Sequence, residues 1–328
     1  MSPATGNGIE TSAMTLTQLN AFVLVARLGS VTAAANALGV SEPAVSQALT
    51  ALRQHLGDQL ITRGPTGMKL TPGGSRLLST ASQIVVLGAE AHAAVRAAQG
   101  APEQLRVVAT STFAEFVAGP LIDAFTRRFA GSVEVSSGTA MSDELSVLIA
   151  NRLADVAIGP AINGDETMRV VTEPIFKYRI VVVTAGQSRP RGPVRQWRWL
   201  AGPAGADASS ATGRLLAQLG IPESNIGVFP SQAAAWAAAA DGTGVAPAVE
   251  HLVSQQLRRG ELALLDLPGL PLESCWYVTM LEREHRSTAA SALRRFLGTP
   301  EAMQLMRSPA AGIPPSRFRP PVYVTIWS

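Results

Sequence analysis

Between residues 15 and 56 the apolar positions recur at three- and four-residue steps, the spacing that gathers them on one stripe of a helix. Three helices are predicted there. The first follows Thr15-Leu16-Thr17-Gln18, which has the spacing of a capping box, and its stripe is Leu19, Phe22, Val23 and Ala26. The second starts after Ser30 and carries Ala33, Ala34, Ala35, Ala37 and Leu38, side chains small enough for a close helix crossing. Gly39 ends it and Val40 packs the turn. The third opens at Ser41 or Glu42, because the Ser41 hydroxyl can accept from a first-turn amide and Pro43 lies where its missing N–H costs little. Val45, Leu49, Leu52 and Leu56 form its buried stripe.

The pattern then changes. Residues 58–63 and 68–71 are short β-prone runs around Gly64-Pro65-Thr66-Gly67, which predicts a hairpin. Thr71-Pro72 opens a long helix to about Gln99, and Leu77, Ile84, Ala91 with Leu78, Val85, Val95 make an apolar seam that wants a partner helix. After Gly100-Ala101-Pro102, strand-like and helix-like stretches alternate: strand 105–109, helix 113–129, strand 132–136, helix 141–152, strand 154–159, then strand runs 170–176 and 179–184. A second unit begins near Trp197, with helix 211–219, strand 225–229, helix 231–240, strands 262–267 and 274–281, and helix 287–297. This alternation predicts a mainly parallel sheet, and two sheets joined by two crossovers predict a cleft. Residues 1–13 are expected to form a flexible leader, and the proline- and arginine-bearing stretch 301–328 a mostly unordered tail in which 322–327 could dock as an edge strand.

Composition narrows the class. With 47% hydrophobic and 16% charged residues the chain is globular, and its 328 residues suffice for two or three domains. No apolar run approaches the roughly 18 residues needed to span a bilayer, and the N-terminus lacks the pattern of a secretory signal, so a cytoplasmic, membrane-free protein is expected. The single cysteine, Cys275, excludes a disulfide framework and a multi-cysteine metal site. His55, His92, His251 and His285 show no ligand spacing with one another, and no glycine-rich phosphate loop follows a strand. No cofactor, metal or catalytic residue is therefore expected, and Asp155 in Ala154-Asp155-Val156 is assigned a structural hydrogen bond.

Net charge of +3 hints at nucleic acid without establishing it. The third helix says more, because the face opposite its apolar stripe carries Pro43, Ser46, Gln47, Thr50 and Gln54, groups suited to base edges and phosphates. Arg63 and Lys69 sit where a hairpin could meet backbone phosphates. On these residues alone, a helical hairpin within some other all-helical domain stays open.

The ordered run Gly29-Ser30, Ala34-Ala35, Leu38, Val40-Ser41, Pro43-Ala44-Val45-Ser46, Leu52, Leu56-Gly57, Leu60, Arg63, Leu70-Thr71-Pro72-Gly73 resembles the N-terminal domain of LysR-type transcriptional regulators. Phe116, Pro120, Leu121, Phe125, Leu153-Ala154-Asp155-Val156-Ala157-Ile158-Gly159 and Gly242-Thr243-Gly244-Val245-Ala246 extend the likeness to that family's effector-binding domain. The resemblance covers roughly residues 14–298. It departs from the family pattern at Arg53, where an acidic residue is usual, at Ile61, where Phe is common, and at Glu42, more often Gln.

The resemblance implies an α/β chain with an N-terminal winged helix-turn-helix at 14–72, a long dimerising linker helix at 73–100 and a two-lobed, periplasmic-binding-protein-like effector domain at 101–300. Lobe I would comprise about 104–185 and 278–300, and lobe II about 186–277. The implied partners are double-stranded DNA, a small-molecule effector, further copies of the chain as homodimer or homotetramer, and RNA polymerase. The DNA-binding set is Ser30, Thr32, Arg63, Lys69 and Thr71 on phosphates and Pro43, Ser46 and Gln47 on bases, with Glu42 and Thr50 on the same face. Effectors of open α/β sheets collect beyond the carboxyl ends of strands, which selects Thr110, Ser111, Thr112, Gly138, Thr139 and Ser231 as a pocket for a small anion. Each of those hydroxyls could instead simply cap its own helix. A solute-binding module that uses only the cleft is the competing function.

Overall fold

The computed structural model describes residues 14–64, 67–129, 131–162, 169–186, 189–205 and 207–308. The leader at 1–13, the hairpin tip at 65–66 and the edge strand at 322–327 lie outside the described residues. The chain forms two compact units that divide between Val95 and Arg96.

In the first unit, α1 (Leu16–Leu28) begins with the full capping box, Thr15 Oγ1 accepting from Gln18 N and Gln18 Oε1 accepting from Thr15 N. α2 (Val31–Leu38) starts where Ser30 Oγ accepts from Ala33 N, and Gly39 ends it in the left-handed region at φ 66. α3 (Glu42–Leu56) also begins as expected, but the Ser41 hydroxyl makes no capping bond. Pro43 removes one first-turn amide and Ala44 N donates to the Ser41 carbonyl, so no amide is left for the side chain. Val45, Leu49 and Leu52 are buried, whereas Leu56 is 40% exposed, because the chain leaves the helix there through left-handed Gly57.

β1 (Ile61–Gly64) and β2 (Gly67–Leu70) pair antiparallel, Arg63 opposite Met68 and Thr62 opposite Lys69. They lead into α4 (Pro72–Ala98), on which a Cβ added at Gly88 would come 2.9 Å from Leu16 Cδ1, so the helix lies close against α1. The expected seam is split: Val85 is buried, while Val95 is 59% exposed; outside it, Ala81 is buried and Leu87 is 62% exposed.

The second unit is built on a seven-stranded sheet that is mixed, not mainly parallel. β3 (Glu103–Ala109) pairs parallel with β4 (Val133–Thr139) and β5 (Val156–Gly159). The remaining pairings are antiparallel, because the two runs expected at 170–176 and 179–184 are one strand of 16 residues, β6 (Val170–Ala185). Lys177 and its neighbours interrupt the apolar pattern in mid-strand, yet β6 runs on through them. Among later elements, β7 (Trp199–Ala201), α8 (Ala211–Gln218), β8 (Ile226–Val228), α9 (Gln232–Ala240) and β9 (Ala246–Val249) form the second lobe, with α10 (Ser254–Arg258) and β10 (Leu262–Leu265). β11 (Leu272–Leu281) then returns antiparallel along β6, with a register shift at Trp276/Tyr277 opposite Pro174, which has no N–H to give. β6 and β11 thus link the two lobes.

After β3 the chain forms α5 (Ser111–Phe113), a π-helical turn at Ala114–Ala118 and α6 (Gly119–Arg128), and α7 (Leu145–Ala150) precedes β5. One core cluster joins Phe113, Phe125, Val156 and Ile158 of the first lobe to Leu200, Trp236 and Ala239 of the second. A separate cluster around Trp199, Leu215, Leu216 and Leu267 fills the far side of the second lobe. The C-terminal segment is corrected in part. α11 (Thr288–Leu297) is followed by α12 (Pro300–Arg307), capped by Thr299, and Ala302 and Met306 enter the core fully buried. The tail expected from 301 therefore begins no earlier than Ser308, and residues 309–328 lie outside the described set.

Candidate functional site

α3 turns Glu42, Pro43, Ser46, Gln47 and Thr50 to solvent on the face opposite Val45, Leu49 and Leu52. The period of the helix fixes this separation: apolar residues three and four apart are used for packing, so the polar residues between them are left facing out. Thr50 Oγ1 donates to Ser46 O at 2.8 Å, which orients the hydroxyl with its lone pairs outward. Beside this face, Ser46, Thr50, Arg53, Thr62 and Arg63 line a groove between the helix and the hairpin. Thr32 and Lys69 are exposed, and Ser30, half-buried, caps α2 with its oxygen and keeps its proton.

Thr71 fares differently. Its hydroxyl donates to Asp58 Oδ1 at 2.8 Å and accepts from Gly74 N at 2.9 Å, so it is engaged as the cap of α4 on both sides. A residue whose proton and cap acceptor are both used has little left for a phosphate. Asp58 also accepts from Leu60 N at 2.6 Å, and these donors hold its carboxyl below the usual carboxylate range, the Leu60 amide first and the Thr71 hydroxyl second. Leu60 is buried in the left-handed region at φ 58, and its carbonyl accepts from Thr71 N at 3.0 Å.

In the second unit, Thr110, Ser111 and Thr112 leave the carboxyl end of β3, and Gly138 and Thr139 lie at the same end of its parallel neighbour, Ala109 opposite Thr139. Thr110 N donates to Ile158 O at 3.0 Å, which ties the loop to β5 as well. The Thr110 side chain makes no capping bond, and Thr139 is exposed while Gly138 is buried. Five of the six predicted effector residues are therefore brought to adjacent strand ends.

Ser231 is not among them. Its Oγ accepts from Ala234 N at 3.1 Å and the residue is 8% exposed. The two amides beside it are already filled: Glu115 of the first lobe accepts from Gln232 N at 2.8 Å and Ala233 N at 2.9 Å. The amino end of α9 thus holds the protein's own carboxylate where an effector anion was expected. Phe116, next in the chain, stacks on Trp236 one turn along the same helix, ring centroids 4.8 Å apart. Burial pushes the Glu115 carboxyl above the ordinary range, more than its donors on Ala233, Gln232 and Ser231 pull it down.

A reciprocal contact runs the other way. Asp207 of the second lobe accepts from Ser142 N at 3.1 Å, and Ser209 N and Oγ bind its other oxygen. Burial alone would raise this carboxyl, but donors on Ser142 and Ser209 hold it low. Glu144 accepts from Met141 N, and burial followed by the nearby Asp143 and Asp207 charges raises it. Sequence reasoning missed Glu115 and Asp207. The available signal for Glu115 was a lone carboxylate inside the apolar turn Ala114–Ala118.

Asp155 has the structural role assigned to it: its oxygens accept from the Arg106 backbone amide at 2.8 Å and from the Arg106 guanidinium at 3.1 and 3.0 Å. His251 is packed on Phe176 and Trp276, and burial pushes its imidazole down to about 4. No group of three or more His, Cys, Asp and Glu that could hold a metal occurs among the described residues, and no described helix is long and apolar enough to cross a membrane.

Two family models match the chain: "Bacterial regulatory helix-turn-helix protein, lysR family" over residues 16–75 and "LysR substrate binding domain" over residues 98–299. An uncharacterized HTH-type transcriptional regulator of Mycobacterium tuberculosis is 37% identical over 96% of this chain and 100% of its own. The HTH-type transcriptional regulator CfxR of Cupriavidus necator is 27% identical, covering 87% of this chain and 91% of its own. Among solved structures, the full-length virulence activator AphB of Vibrio cholerae superposes with a TM-score of 0.51 at 17% identity, covering 87% of this chain and 98% of that one. Full-length LysG of Corynebacterium glutamicum with bound effector Arg also gives 0.51, at 19% identity, covering 92% and 100%. At those identities the structures speak to the fold alone.

Proposed function

The chain belongs to the LysR-type transcriptional regulators, and on that premise we propose how its own residues divide the work. Members of this family are regulators and not enzymes: they bind DNA, take small-molecule effectors and form oligomers. In this chain residues 14–72 act as the reading head, 73–100 as the linker helix between subunits and 101–307 as the sensor.

The observation that carries the DNA assignment is the exposed face of α3, uncharged apart from Glu42 and flanked by a cationic hairpin. Pro43, Ser46 and Gln47 meet base edges in the major groove, with Glu42 and Thr50 on the same face. Gln47 has the amide geometry that pairs with adenine, and Glu42 can accept from the amino group of cytosine. Ser30, Thr32, Arg63 and Lys69 meet phosphates. Two heads in a dimer, joined through the exposed apolar residues of α4, Leu87 and Val95, suit a pseudo-palindromic site. The regulator works in the cytoplasm and touches RNA polymerase from its promoter site.

The effector is a small anion, a carboxylate being the simplest case, held at the ends of β3 and β4 by Thr110, Ser111, Thr112, Gly138 and Thr139. It can act only by binding one arrangement of the lobes better than another. A thermal-shift screen of small carboxylates and amino acids tests this: a ligand at a hundred times its dissociation constant should stabilise by about 2.7 kcal/mol. By reciprocity the same compound must change affinity for duplex DNA by the factor by which DNA changes its own binding. A compound that stabilises the protein and leaves DNA affinity and footprint untouched overturns the coupling.

A further inference from the structure

Arg53, which stands where the family pattern favours an acidic residue, lies in the last turn of α3. Its Nε donates to Gln59 O at 2.8 Å and its Nη2 to Ile61 O at 3.1 Å. These two carbonyls bracket Leu60, whose positive φ of 58 is a conformation that a residue with a branched side chain adopts only when its surroundings hold it. Both backbone groups of Leu60 are held as well, the amide by Asp58 and the carbonyl by the Thr71 amide. Ile61 is the first residue of β1, and Arg63 follows two residues later on the same strand. A planar guanidinium with two fixed donors sets an angle as well as a distance, which a carboxylate at this position could not do, because it has no proton for either carbonyl.

We propose that Arg53 is a positioning residue for DNA binding, fixing the hairpin against the recognition helix so that Arg63 faces the phosphate backbone beside the base-reading face of that helix. The groove between helix and hairpin, lined by Arg53, Thr62 and Arg63, is where that backbone lies. The inference rests on the phosphate role given to Arg63 above. Without the clamp the left-handed turn at Leu60 relaxes, and Arg63 swings away from the backbone beside the recognition helix.

The test is a double-mutant cycle read as a salt slope. Full-length protein is titrated by fluorescence anisotropy against duplex DNA from upstream of its own gene and against a scrambled duplex of equal composition, at several salt concentrations. Arg63→Ala should lower the slope of log K against log salt by about 0.9, the value for one phosphate contact. Arg53→Met, which keeps the aliphatic stem and loses both donors, should lower it by the same amount, and Arg53→Met with Arg63→Ala by no more than Arg63→Ala alone. Arg53→Gln, with one donor left, should fall between and serves if the Met variant does not fold. Equal losses that add in the double variant mean that Arg53 touches phosphate directly, and overturn the positioning role. A wild-type slope in Arg53→Met beside a reduced one in Arg63→Ala also overturns it. A wild-type slope in Arg63→Ala removes the phosphate assignment and the positioning role with it. Absence of salt-sensitive binding by the wild-type chain would instead be a failure of the DNA-binding reading itself.

Discussion

Removing the Glu115 side chain should loosen the sensor without touching the reading head. In Glu115→Ala the amides of Gln232 and Ala233 lose their acceptors in a site where Gln232 is 2% exposed. A buried donor left unsatisfied costs about 1–3 kcal/mol, and bonds to a charged acceptor lie in the upper half of that range. Against this stands the cost of burying the carboxylate, which the upward displacement of its pKa reports and which the substitution relieves. The balance is a loss of about 2–4 kcal/mol for Ala and roughly half that for Gln, whose single carbonyl oxygen serves one amide. For a unit of this size about 1 kcal/mol moves Tm by about 2–4 °C, so Glu115→Ala should melt about 4–16 °C lower.

The pH dependence carries its own sign. Because burial raises the folded carboxyl above its unfolded value, the folded state holds the proton more tightly, and this group's contribution falls as pH rises through the folded value. The deficit of Glu115→Gln relative to wild type should therefore shrink from mildly acid to neutral pH. Urea melts followed by tryptophan fluorescence suit the measurement, since Trp236 stacks on the adjacent Phe116. A Glu115→Ala protein within about 0.5 kcal/mol of wild type at every pH would refute the clamp across the lobes.

Two further outcomes are expected. At Gly74, a Cβ would come 2.1 Å from Leu60 O, so Gly74→Ala must push the start of α4 off the left-handed turn, and full-length melts should show a loss of about 1–3 kcal/mol together with weaker DNA binding. Because burial holds His251 near 4, its contribution is present above the ordinary histidine range and is lost as pH falls toward 4. After allowance for its partial exposure, wild type should lose about 1–2 kcal/mol more than His251→Gln between pH 7 and pH 4 in urea melts.

What the sequence made legible was whatever is decided within a few residues. The cap at Thr15, the stop at Gly39 and the polar face of α3 follow from hydrogen-bond geometry and the helical period, both local. The clamp was invisible because Glu115 lies 117 residues from Gln232, and Asp207 lies 65 from Ser142, separations over which no periodicity operates. The same limit turned β6 into two strands: the polar positions around Lys177 mark the stretch where the strand passes between lobes, and only its pairing with β11 shows that it continues. Ser231 and Thr71 show a related limit. A hydroxyl at a helix start fits capping and ligand binding equally well, and only the partners placed around it decide.

The central claim, that α3 and its hairpin read DNA, is tested most directly by quantitative footprinting of the full-length protein with Gln47→Ala and Arg63→Ala on duplexes spanning its own upstream DNA. Gln47→Ala should keep most affinity for scrambled duplex while its preference for the protected site falls by about 1–3 kcal/mol. Arg63→Ala should weaken binding to every duplex alike and reduce the salt slope by about 0.9. A Gln47→Ala protein that still protects the same site as tightly as wild type would contradict the account.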